Sequence, residues 1–99
     1  FVALASLLVH GPDLSRVRAD SLELRKQLDA VNKERKCRVL GPAPAPLSRL
    51  KGEHRFQLLI KSRSRKVLRE VADAALKAAA DSGINLRSVN LEIDPVSIM

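Results

Sequence analysis

Ninety-nine residues give room for one domain of ordinary size and not two. Hydrophobic residues make up 45% and charged residues 29%, a globular balance that argues against a disordered chain; no apolar run approaches the roughly 18 residues of a membrane span. The single cysteine, Cys37, excludes an internal disulfide and a Cys-rich zinc site, while the net charge of +7 points to an anionic partner.

The chain opens on Phe1–His10, an apolar run that reads as a strand buried on both sides and is closed by Gly11-Pro12-Asp13. It lacks a basic leader and a start methionine, so it reads as a strand and not a signal peptide, and the expected compartment is the cytoplasm. Asp13 is placed to cap a helix reaching about Lys36, with Leu14, Val17, Leu24, Leu28 and Val31 in one apolar stripe. Its other face carries Arg16, Arg18, Asp20, Glu23, Arg25, Lys26, Asp29, Lys33 and Glu34. That mixture of signs reads as a solvated surface. Cys37–Leu40 is a short second strand.

Gly41-Pro42-Ala43-Pro44-Ala45-Pro46 has three residues without an amide hydrogen, which bars it from a helix or a sheet interior. It is expected to project as an extended arm, about 41–50, between the second and third strands. His54–Lys61 alternates, with Phe56, Leu58 and Ile60 on one face and Arg55, Gln57, Leu59 and Lys61 on the other. Ser64 can cap a second helix to about Ser82 that buries Val67, Leu68, Val71, Ala72, Ala75, Leu76 and Ala79. Gly83 stands where a left-handed C-terminal cap belongs. Leu86–Asp94 alternates again, burying Val89, Leu91 and Ile93, until Pro95 stops it. Strand–helix–strand twice over, with right-handed crossovers, predicts an α+β ferredoxin-like split βαβ sandwich, βαββαβ: four strands with both helices on one face. Its other sheet face would show Arg55, Gln57, Lys61, Ser88, Asn90 and Glu92, and is expected to be polar.

Catalysis finds no constellation to work with. There is no Gly-rich phosphate loop with its Lys-Ser/Thr, and His10 and His54 lack a third ligand at metal spacing. Cys37, between Lys36 and Arg38, reads as a small core residue, since a reactive thiolate needs a neighbouring general base that the sequence does not place. No serine has a His/Asp partner set. The expectation is a chain that is not an enzyme, with no catalytic residue, no metal site and no cofactor of its own.

The location of the charge is more telling than its size. Between Arg49 and Arg69 eight basic side chains face Glu53 alone, and the rest of the chain is neutral. The aromatics needed to stack bases are nearly absent, with only Phe1 and Phe56, and Phe56 alternates with the core set. What remains is recognition of phosphates, which gives affinity without base identity. Arg49 and Lys51 on the arm, Arg55 and Lys61 on the sheet, and Arg63 and Lys66 at the second helix are the expected DNA contacts. Arg65 and Lys66 sit where the helix dipole disfavours cations, an arrangement an anion would offset.

The order of motifs is itself distinctive. Leu40-Gly41-Pro42-Ala43-Pro44-Ala45-Pro46, then Arg49-Leu50-Lys51-Gly52, Arg55-Phe56-Gln57-Leu58-Leu59-Ile60-Lys61, Ser64-Arg65 and Glu92-Ile93-Asp94-Pro95 together resemble the C-terminal domain of the primosomal protein N′ (PriA) family, bacterial replication-restart DNA helicases. Departures are His54 for an aromatic of the third-strand motif and Glu92 for the first Asp of the closing motif. The resemblance implies an ATP-driven 3′-to-5′ DNA helicase as parent, with ATP, Mg and zinc bound outside this chain. It implies that this module helps bind forked or branched DNA and docks the acidic tail of single-stranded-DNA-binding protein, with the helicase lobe completing the pocket. The family's docking Arg corresponds to Arg65, and Arg69 stands where the family has a Gln. An RNA-binding ribosomal-type protein of similar fold is the principal alternative; a small-molecule regulatory domain is a weaker one, lacking a visible ligand niche.

Overall fold

The computed structural model describes residues 2–50 and 52–93, with backbone only over 46–50. The order is β1 (Ala3–Gly11), α1 (Leu14–Val31), β2 (Cys37–Leu50), β3 (Glu53–Ser62), α2 (Arg65–Asp81), a 3-10 turn (Leu86–Ser88) and β4 (Val89–Ile93). The strands form one sheet in the order β2-β3-β1-β4, antiparallel at every junction. This is the expected α+β ferredoxin-like sandwich.

Both helix starts are built as the residues suggest. The Asp13 carboxylate accepts from the amides of Ser15 at 3.0 Å and Arg16 at 3.4 Å, and the Ser64 hydroxyl accepts from Val67 N at 3.2 Å. Ser64→Ala removes that acceptor and is expected to cost about 1 kcal/mol, read as a lower melting temperature in circular dichroism. At the other end of α2, Gly83 takes φ +105°, and the Ile84 amide returns to Ala79 O at 3.0 Å, the left-handed closure glycine permits.

The core lies between the sheet and the two helices. Ala3, Ala5, Leu7 and Val9 of β1, Leu58 and Ile60 of β3, Val17, Leu24 and Leu28 of α1, and Leu68, Ala72, Ala75 and Ala79 of α2 are buried in one cluster. Three of the four buried residues of α2 are alanines. In α1 the buried stripe is Val17, Ser21, Leu24 and Leu28. Leu14, assigned to that stripe from its spacing, is exposed. Ser21 replaces it in the core because its hydroxyl donates to Arg18 O at 2.8 Å, within its own helix.

Three further expectations are corrected. Helix α1 stops at Val31 and not near Lys36, because the Asn32 side chain takes over the backbone of Cys37, donating to its carbonyl at 2.7 Å and accepting from its amide at 3.2 Å. The proline arm does not project: it continues β2 along β3, pairing Ala43 with Gln57, Pro44 with Phe56 and Arg49 with His54, with register shifts between Leu40 and Ala43 and between Pro44 and Arg49. The prolines are tolerated because β2 is an edge strand, where a missing donor can face away from the ladder. The open sheet face is also less polar than expected. Leu4 and Leu8 of β1, Leu40 of β2 and Leu59 of β3 lie half-buried on it, and Ser88 belongs to the 3-10 turn. Asp94 and Pro95 of the closing motif lie outside the described residues.

Candidate nucleic-acid interface

Chain direction decides where the cations go. Strands β1 and β2 run one way and β3 and β4 the other, so the α1–β2 turn and the β3–α2 turn meet at one end of the sandwich. The register fixes this: Ser62 stands beside both Ala3 and Cys37. The Ser62 hydroxyl joins the two turns, donating to Lys36 O at 3.1 Å and accepting from Ser64 N at 3.2 Å.

Two basic segments far apart in sequence therefore share one end. The first turn contributes Lys33, Arg35, Lys36 and Arg38, and the second contributes Lys61, Arg63, Arg65 and Lys66; all eight are exposed. Glu34 is the carboxylate of the first turn, 3.4 Å from Lys36 Nζ. Arg38 and Lys61 are directly opposite on neighbouring strands. Like charges so placed cost roughly 0.2–1 kcal/mol, and neither residue has a carboxylate partner among the described residues. The first turn of α2 holds no acidic residue, so Arg65 and Lys66 also stand against the helix dipole. These costs are offset when an anion is bound.

The six cations expected to touch DNA do not form one patch. Lys61, Arg63 and Lys66 lie at the basic end, beside Arg65. Arg55 lies six residues back along β3 from Lys61, about 20 Å away, where it pairs in register with His10. Arg49 pairs with His54 at that far end through its backbone, and Lys51 lies outside the described residues. The far end is mixed in sign: His10 Nδ1 lies 3.4 Å from Glu53 Oε1 without hydrogen-bond alignment, and Arg16 Nε is 3.4 Å from Asp20. Arg65 and Arg69, four apart on α2, are both exposed and share a helix face. In the linear chain Lys33 falls on the mixed face of α1, and Arg35, Lys36 and Arg38 disappear into the neutral total outside 49–69.

Burial pushes the Cys37 thiol above its ordinary range, against a smaller opposing effect of the Ser62 hydroxyl, so Cys37 is held neutral inside the core. Among the described residues no group of three or more His, Cys, Asp or Glu could hold a metal, and no helix is long and apolar enough to cross a membrane.

The molecule is thus an α+β ferredoxin-like sandwich with a concentrated basic end, a class defined by fold and charge alone. The family model described as "Primosomal protein N C-terminal domain" matches residues 1–96, and the chain belongs to that family. Its role is accordingly primosomal, in replication restart. No curated protein matches the chain significantly. Among solved structures it is similar to a de novo designed protein, Foldit4, with a TM-score of 0.63 at 8% identity over 94% of this chain and 93% of that one. It is also similar to a hydantoinase/carbamoylase family amidase from Burkholderia ambifaria, with a TM-score of 0.55 at 15% identity over 94% of this chain and 27% of that one. A C-terminal segment of the alpha subunit of aIF2 from Pyrococcus abyssi gives 0.52 at 15% identity over 98% and 51%. At such identities the likeness concerns the fold alone.

Proposed function

We propose that the chain is a noncatalytic DNA-binding and protein-docking module of a replication-restart helicase, gripping the phosphates of forked DNA and the acidic tail of single-stranded-DNA-binding protein. The observation that carries this reading is the convergence of two basic turns at one end, with the like-charged Arg38–Lys61 pair in register. Phosphates neutralise such a cluster without reading bases, and the shortage of stacking aromatics fits sequence-independent binding. ATP, Mg and zinc belong to the longer parent in this reading, which works in the bacterial cytoplasm.

Arg65 and Arg69 take the partner tail. A guanidinium fork matches a terminal carboxylate in a bidentate way, and two of them one helical turn apart can hold a carboxylate and a neighbouring acidic side chain. The helicase lobe supplies the remaining wall.

The two ends of the sandwich give the test. Replacing Lys61, Arg63 and Lys66 together by alanine is expected to weaken binding to forked DNA by about 100-fold or more, each lost phosphate contact being worth about 1 kcal/mol. Replacing Arg49, Lys51 and Arg55 is expected to weaken it less, because Arg55 and the Arg49 backbone lie at the mixed-sign end. Melting temperatures should hold in both variants. Equal DNA losses from both ends would replace the localised grip by a diffuse one, and preference for structured RNA over forked DNA in competition would favour a ribosomal-type RNA-binding role.

A further inference from the structure

The edge of β2 carries a second feature that charge counting along the chain does not reveal. A cleft of about 510 Å³ opens between the C-terminal half of α1 and the start of β2, and Arg25, Arg35 and Arg38 all line it. Arg25 is fixed there: its Nε–H is shared by the two Asp29 carboxylate oxygens at 3.1 Å each, and its Nη1 donates to Gly41 O at 2.5 Å. A guanidinium has five N–H donors, so Arg25 keeps donors to spare. The Arg35 and Arg38 side chains form no hydrogen bond or ion pair among the described residues. Asp29, the acidic residue in the cleft, is already engaged by Arg25.

The backbone adds to the pull. Asn32 binds both polar groups of Cys37 from outside the sheet, and Arg25 binds the Gly41 carbonyl from the same side. Strand alternation therefore turns the N–H of Val39, which lies between them and lines the cleft, to the outer edge of β2 together with its carbonyl. Arg35 has φ +52°, a left-handed conformation uncommon for a residue other than Gly, Asn or Asp. A glycine would fit that turn with less strain, yet the position holds a long cation aimed at the cleft.

We propose that this cleft seats one phosphate of the nucleic-acid backbone, gripped by Arg35 and Arg38, with Arg25 as a prepositioned third guanidinium and the Val39 amide as a neutral donor. The seat rests on the DNA-binding reading and extends its track from the start of α2, past Lys61 and Arg38, around the β2 edge. It also accounts for an arginine held in a left-handed turn.

The test uses Arg35→Gly and Arg38→Ala in the otherwise unchanged chain, with forked DNA at several salt concentrations. Arg35→Gly is expected to leave the melting temperature unchanged or raised while lowering DNA affinity several-fold. Each substitution should flatten the slope of log affinity against log salt by about one. Variants that bind DNA with unchanged affinity and slope, where the native chain binds well, would overturn the seat and leave the basic end standing. A native chain that binds no DNA would overturn both. Stabilisation by millimolar inorganic phosphate that depends on Arg35, with DNA affinity unaffected, would make the cleft a free-phosphate site and overturn the backbone assignment.

Discussion

Gly41→Ala is expected to destabilise the domain by about 3 kcal/mol, the largest effect of adding a methyl group at any of its four glycines. Two independent costs add. Gly41 has φ +99°, a conformation that costs an L-residue with a side chain roughly 1–2 kcal/mol. An added Cβ would also stand 2.7 Å from Gln57 O and 3.3 Å from Leu58 Cα. Both are backbone atoms of the neighbouring strand and cannot rotate away, and overpacking of this kind costs about 1–3 kcal/mol. For a domain of this size the sum corresponds to a fall in melting temperature on the order of 15 °C. Gly83→Ala is the matched control, because Gly83 shares a positive φ but meets nothing within 4 Å, so only the conformational cost of about 1 kcal/mol applies. Equal small losses at both positions would show that β2 relaxes away from β3 and that the close approach is not structurally required.

The same glycine marks where sequence reading of the fold succeeds and where it stops. Periodicity placed β3, β4 and both helices, because burial on one face imposes period 2 on strands and 3.6 on helices whatever the neighbours are, while an apolar run marked β1. Caps were legible for the same local reason: Asp13, Ser64 and Gly83 act on amides and carbonyls a few residues away. The proline arm was misread because proline's missing donor forbids the middle of a sheet but not its rim, and edge position is a property of topology. Ser21 was invisible as a core residue because its hydroxyl is satisfied inside its own helix. The end of α1 depended on Asn32 meeting Cys37, five residues ahead, which no helical period contains.

The site shows the same division between local and non-local information. The excess of cations over 49–69 is a fact of the linear chain, but β3 runs through the middle of that stretch and carries its two ends apart. Arg55 and Lys61 belong to one basic run in sequence and to opposite ends of one strand in space. What replaces the lost members comes from Lys33, Arg35, Lys36 and Arg38. A usable signal was present there, since four cations fall within six residues against Glu34 alone. Counting Lys33 with the mixed face of α1, and the others in the neutral remainder of the chain, hides it. Recognising it required the βαββαβ order to be carried one step further, to the statement that the first helix ends where the second begins.

That joint end sets the scale of the second large effect, the response of DNA binding to salt. If about four phosphates are neutralised there, the slope of log affinity against log salt should be roughly −3 to −4, and affinity should fall about 100-fold between 50 and 200 mM. Changing the base sequence should matter little, because phosphate contacts carry no base identity. Arg65 and Arg69 separate this from the docking role. An acidic peptide ending in a carboxylate presents a planar, two-oxygen acceptor that guanidinium meets with two parallel N–H groups, whereas an ammonium meets it as a point charge. A phosphate on DNA is held by several cations at once and tolerates the exchange. Arg65→Lys should therefore weaken the peptide about tenfold, the worth of one charge-assisted hydrogen bond at about 1.5 kcal/mol, while DNA affinity changes less than threefold. The measurement is a fluorescence titration of both ligands against the longer protein that carries this domain, at two salt concentrations. A flat salt response with DNA would remove the electrostatic grip altogether, and equal losses for the two ligands would reduce Arg65 to a general basic contact with no part in recognising a carboxylate.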